Sequence, residues 1–173
     1  NPAINGYVKS KGEALRIIAG ATSGGAVLVV RSDAGITKAS DFAGKKIASP
    51  QLGNTQDVAL RGWLLKQGLA LKEQGGNTQV VPIANPDILT LFQKKEIDGA
   101  WVPEPWGARL VREAGGKIFL DERDLWPDGK FVTAHIIVSA KFLKDHPDIV
   151  KKILTAHVEL TQRINADPTT AKQ

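Results

Sequence analysis

The 173-residue chain contains no cysteine and no methionine. Without cysteine there can be no disulfide, thiolate metal site or cysteine nucleophile, and the redox compartment stays open. Without methionine, Asn1 is not an initiator, so a processed product or a fragment is expected. No apolar stretch approaches the roughly 20 residues that a bilayer-spanning helix needs, and no charged start followed by an apolar core marks a signal peptide. Catalytic signatures are missing as well: there is no Gly-x-Ser-x-Gly elbow, P-loop, Gly-x-Gly-x-x-Gly turn or His-Glu-x-x-His helix. His135, His146 and His157 are far apart and have no acidic partner at metal-ligand spacing, so neither a metal nor a cofactor is expected. His157 on a helix face with leucines and His135 on an apolar strand read as packed, structural histidines.

What is present is enough for a core. The chain is 42% hydrophobic, sufficient for one ordinary domain or two small lobes. Its net charge of +5 is spread over lysines and arginines that form no run longer than two, such as Lys45-Lys46, Lys94-Lys95 and Lys151-Lys152. That reads as a solvated surface, and the absence of aromatic interleaving argues against a nucleic-acid face.

Short apolar strands alternate with amphipathic helices, the pattern of a parallel α/β sheet. A short helix is expected within 1–11, with Pro2 in its first turn and Asn1 as cap. Strands are expected at 15–19 and 26–30, separated by the polar turn 20–25, and a single turn at 37–42. A regular βαβ array follows, with strands at 46–48, 79–82, 100–102 and 117–120 and helices at 55–67, 86–97 and 106–114. Its loops at the strands' carboxyl ends, 49–54, 83–85 and 103–105, should share the edge where such folds bind ligands. After the loop 121–130 come a strand at 131–139, a short helix at 140–144 and a long helix from Pro147 to about Asn165. On that helix Ile149, Val150, Ile153, Leu154, His157, Val158 and Leu160 form an apolar stripe.

Three loops can carry chemistry. Gly53-Asn54-Thr55-Gln56-Asp57 fits a helix start capped by Asn54 or Thr55, and free N–H groups there can seat an anion. Read alone, capping comes ahead of ligand binding, with Asp57 already complementing the helix dipole. In Trp101-Val102-Pro103-Glu104-Pro105-Trp106 two prolines fix the backbone around Glu104 and two indoles offer rigid walls. A buried Trp101 and a helix-starting Glu104 are an equal reading of the same residues. Thr22-Ser23-Gly24-Gly25 is either a plain turn or an oxyanion-holding concavity.

Taken together, Asn1-Pro2-Ala3-Ile4-Asn5, the run from Ala39 to Ala48, Pro50 to Asp57 and Trp101 to Trp106 resemble the aliphatic-sulfonate, taurine and nitrate substrate-binding proteins of ABC importers. The resemblance covers essentially the whole chain. It implies an α/β fold of the type II periplasmic-binding-protein kind, with two α/β lobes closing on a ligand cleft and the first lobe incomplete. On that template 1–33 and 126–173 belong to the first lobe and 34–125 to the second. The resemblance further implies that Asn1, Pro2, Ser23 and Gly24 face the cleft from the first lobe. Gly53, Asn54, Thr55 and Gln56 would present donors from the second, with Trp101, Glu104 and Trp106 near the opposite wall. The implied function is a non-catalytic receptor for a small organic oxyanion, an aliphatic sulfonate foremost. It would be periplasmic or lipid-anchored, monomeric, and would deliver ligand to a membrane permease. Two alternatives share the superfamily resemblance: an enzyme of thiamine-pyrimidine-precursor synthesis, and the ligand-sensing domain of a regulator.

Overall fold

Ala26-Val27-Leu28-Val29-Val30 is a run of five apolar residues, and an unbroken apolar strand must be covered on both faces. In the computed structural model, which describes residues 2–172, that requirement organises the larger of two compact units, Ala21–Ala134. Strand β2 (Ala26–Arg31) is the second position from one end of a five-stranded sheet, and Val27 at 4% is the most exposed of its five apolar residues.

The other strands are β3 (Lys46–Ser49), β4 (Gln79–Pro82), β5 (Gly99–Pro103) and β6 (Gly116–Asp121), in the order β4-β3-β5-β2-β6. β3 pairs in parallel with β4 and β5, while β2 pairs antiparallel with both β5 and β6. The four strands expected as a parallel array do share one direction. They are not contiguous, because β2 lies between β5 and β6. The compact unit is correspondingly wider than the 34–125 expected for the second lobe, since β2 is hydrogen-bonded into this sheet along both edges.

Side chains alternate between the two faces, as the pleat requires. Leu28, Val30, Ile47 and Trp101 pack with Phe42, Leu60, Trp63 and Leu64, on the side covered by α2 (Thr55–Lys66). Val27, Val29, Ala48, Ala100 and Val102 pack with Ile88, Leu89, Phe92 and Leu110 of α3 (Asn85–Gln93) and α4 (Trp106–Ala114). The helix expected to reach Ile97 stops at Gln93, and the chain turns through Lys95 at φ 60. Gly107 lets α4 close on the sheet, because a Cβ there would stand 2.4 Å from Val27 Cγ2.

The second unit comprises Ala3–Gly20 and His135–Gln173. It contains most of α1 (Pro2–Lys9), α5 (Ala140–Asp145) and α6 (Pro147–Ala166), with parts of β1 (Leu15–Ser23) and β7 (Val132–Ser139), which pair as a two-stranded sheet. Ala140 N–H donates to Ala14 O at 2.9 Å, and His157 Nε2 lies 2.9 Å from Gly20 O. Val150 is the one residue of this unit that is buried, among the described residues. The apolar stripe of α6 has the expected spacing but is not covered: Ile153 is 48% exposed and Leu160 55%. His135, read as packed, is exposed.

Candidate functional site

The carboxyl ends of β3, β4 and β5 lie on one edge of the larger unit's sheet because the three strands are parallel. β2 begins at that edge too, since Ala26 pairs with Pro103. Loops 49–54, 83–84 and 103–105 and the turn Gly24-Gly25 are therefore neighbours by topology. Two hydrogen bonds tie them: Ile83 N–H to Ser49 O at 2.8 Å and Glu104 N–H to Gly25 O at 2.8 Å.

At the first loop Gly53 adopts φ 73, a left-handed conformation suited to glycine, and Asn54 caps α2 by accepting from Asp57 N–H at 2.8 Å. The capping reading of this stretch is what the local geometry displays. Asp57 does more than complement the dipole. Its carboxylate, 2% exposed, accepts from Ser49 Oγ at 2.6 Å, Gly53 N–H at 2.9 Å and Arg61 Nε at 3.0 Å. Gly53 N–H, expected as a ligand donor, is thus occupied, and Asn54 N–H is directed to Gln51 O at 3.2 Å. The N–H groups of Thr55 and Gln56 find no acceptor among the described residues. Gln56 is only 7% exposed, and its side-chain amide has no partner among them either.

At the loop after β5, Trp101 is a core residue. It is 0% exposed, and its indole N–H donates to Glu122 Oε2 at 2.9 Å. The expectation that Trp101 walls a cleft is corrected accordingly: β5 is an inner strand and this face carries α2. Burial pushes the Glu122 carboxyl above its ordinary value, against hydrogen bonds from Trp101 and Trp126 that lower it. Glu104 is exposed, is joined to Pro105 by a cis peptide bond, and accepts from Ala108 N–H at 3.0 Å in the first turn of α4. Trp106 is half-buried, with the Arg109 guanidinium 4.8 Å from its ring centroid.

The turn before β2 is shorter than expected, because β1 continues through Ser23 and leaves Gly24-Gly25 to reverse the chain. Ser23 is exposed. Gly24 O accepts from Thr133 Oγ1 at 2.6 Å, and the N–H groups of Gly24 and Gly25 have no acceptor among the described residues. Pro2 begins α1, and Asn1 lies outside the described residues. Two features escaped the sequence reading: the hub role of Asp57, whose partner Ser49 precedes it by a loop, and Asn85. The Asn85 side-chain oxygen is buried without a donor at the start of α3, on the same edge. No group of three or more metal-ligating side chains comes together among the described residues.

The model of the NMT1-like family matches residues 3–173. The taurine-binding periplasmic protein of Escherichia coli is 29% identical over 136 residues, which is 77% of this chain and 39% of that protein. A nitrate/nitrite binding protein, NrtA of a Nostoc species, is 28% identical over 130 residues, 75% of this chain and 28% of that protein. In structure, the alkanesulfonate-binding protein SsuA of Xanthomonas axonopodis pv. citri superposes with a TM-score of 0.76 at 16% identity, over 95% of this chain and 54% of that one. The periplasmic nitrate-binding protein NrtA of a Synechocystis species gives a TM-score of 0.72 at 19% identity, over 92% and 43%. The chain thus spans less than half the length of the curated relatives it matches.

Proposed function

This chain belongs to the NMT1-like family, and from that premise we propose that it is the oxyanion-holding part of a solute-binding receptor for an ABC importer, with aliphatic sulfonates as the leading ligand class. The relatives are named for taurine, nitrate and alkanesulfonate, all of which present planar or tetrahedral oxygens to a receptor. The observation that carries the reading is the pair of N–H groups at Thr55 and Gln56, left without acceptors where α2 begins. Backbone donors at a helix start favour an anion through both hydrogen bonds and the dipole. The N–H groups of Gly24 and Gly25 on the same edge extend the donor set. Glu104 keeps one carboxylate oxygen free of any partner among the described residues, which suits the ammonium of an aminosulfonate. Trp106 is the indole that remains partly accessible to an organic tail.

In this reading the ligand is bound and released unchanged, outside the cytoplasm, and passed to a membrane permease. A backbone-amide NMR titration of the chain with methanesulfonate, taurine, nitrate and methylphosphonate tests it. Saturable shifts at Thr55, Gln56, Gly24 and Gly25 are expected. Thr55→Pro removes one first-turn N–H at a position where proline is tolerated, so it should weaken the anion about tenfold while leaving the denaturation midpoint nearly unchanged. Unperturbed spectra with all four anions would overturn the proposal.

A further inference from the structure

We infer that Asp57 is a positioning residue that restricts the site to singly charged oxyanions and turns away doubly charged ones; this rests on the receptor reading above. Most donors at the helix start are already engaged. Asp57 takes the Ser49 hydroxyl, Gly53 N–H and Arg61 Nε, and gives its own N–H to Asn54. These are the groups nearest the helix start that an anion would otherwise recruit. What remains is neutral: the N–H groups of Thr55 and Gln56, and the Gln56 amide, which is 7% exposed and has no partner among the described residues.

The charges are arranged to the same end. Asp57 lies in the first turn of α2 with a 2% exposed side chain, so its negative charge is fixed in place and weakly screened. Its counter-ion, Arg61, is shared: the Arg61 guanidinium also pairs with Glu73. The group Asp57, Arg61 and Glu73 therefore carries one net negative charge beside the donors. A helix start offers the equivalent of about half a positive charge. The balance stays negative, so an anion of charge one is held by its hydrogen bonds against a modest repulsion, and each further charge on the ligand adds to that repulsion. A second charge on the ligand meets the same carboxylate, and the guanidinium beside Gly24, that of Arg123, is already paired with Asp121.

Methanesulfonate and sulfate are the probes, because they have nearly the same shape and differ by one charge. Binding of each is measured by amide titration at fixed ionic strength and neutral pH, for the parent chain and for Asp57→Asn. The parent should prefer methanesulfonate by about tenfold or more, and Asp57→Asn should cut that preference about tenfold, mainly by gaining sulfate. Asparagine keeps the acceptor for Gly53 N–H, so a purely structural role would weaken both anions by one common factor. An unchanged ratio overturns the inference, as does a parent chain that binds both anions equally. Glu73→Gln is a second variant, at an exposed position outside the 49–54 loop; it should lower the preference about two- to threefold. If neither anion binds the parent chain, the receptor reading falls first and this one with it. If methanesulfonate binds and the ratio ignores both variants, only the role of Asp57 falls.

Discussion

Trp101 and Glu122 form a buried donor–acceptor pair in which the acceptor is a carboxyl group held away from water. Burial raises the Glu122 carboxyl above its ordinary value, so the folded chain holds that proton more tightly than the unfolded chain. The stability associated with it is complete below the unfolded value and is lost as pH rises through the folded one. Glu122→Gln keeps an oxygen for the Trp101 N–H and carries no charge. Thermal melts should therefore show the variant equal to the parent in acid and more stable at neutral pH; a uniform loss at every pH would contradict this. Asp41 behaves oppositely. Its carboxylate is held below the usual range by the backbone N–H groups of Thr37 and Lys38 and by the Thr37 hydroxyl, so what it contributes is lost as pH falls. At this scale the sequence narrowed the cap to Asn54 or Thr55, of which Asn54 fills the role, because capping depends on residues within one turn. It left Trp101 evenly between core and cleft wall, since the choice depends on α2 covering its face, and it did not reveal that Asp57 binds Ser49 across a loop.

Among the elements, β2 decides how the larger unit is built. Its strand pairs come from β5 and β6, far along the chain, and they make it the antiparallel member between two strands of common direction. Periodicity located α2, α4 and β4 closely because helix and strand repeats are local. The order of strands was not legible, because an apolar run states that a strand is buried but not which edges it joins. The same packing makes Gly107 a sensitive position. Alanine is favoured over glycine by about 1 kcal/mol inside a helix, yet a Cβ at 107 would overlap Val27 Cγ2 at 2.4 Å. Overpacking should win, so Gly107→Ala is expected to lower stability by about 1–2 kcal/mol in denaturant titration. Adding Val27→Ala should recover part of that loss through a favourable coupling between the two sites.

The molecule as a whole divides its apolar burial unevenly. The larger unit packs two clusters, one on each face of its sheet, whereas the second unit buries Val150 alone among the described residues. On α6, Ile149, Ile153, Val158, Leu160 and Ile164 stand between 46% and 55% exposed. The helical spacing of the stripe from Ile149 to Leu160 was visible in the sequence, but spacing says which side of a helix is apolar and not what lies against it. The consequence is calorimetric. The heat capacity gained on melting comes from apolar surface newly wetted, and a stripe already in water adds little to it. A uniformly packed chain of this length would gain about 2.1–2.6 kcal/mol/K on unfolding, and the larger unit alone about 1.4–1.7. Differential scanning calorimetry should return the smaller figure, and with it a stability curve flatter in temperature than the chain's length would lead one to expect.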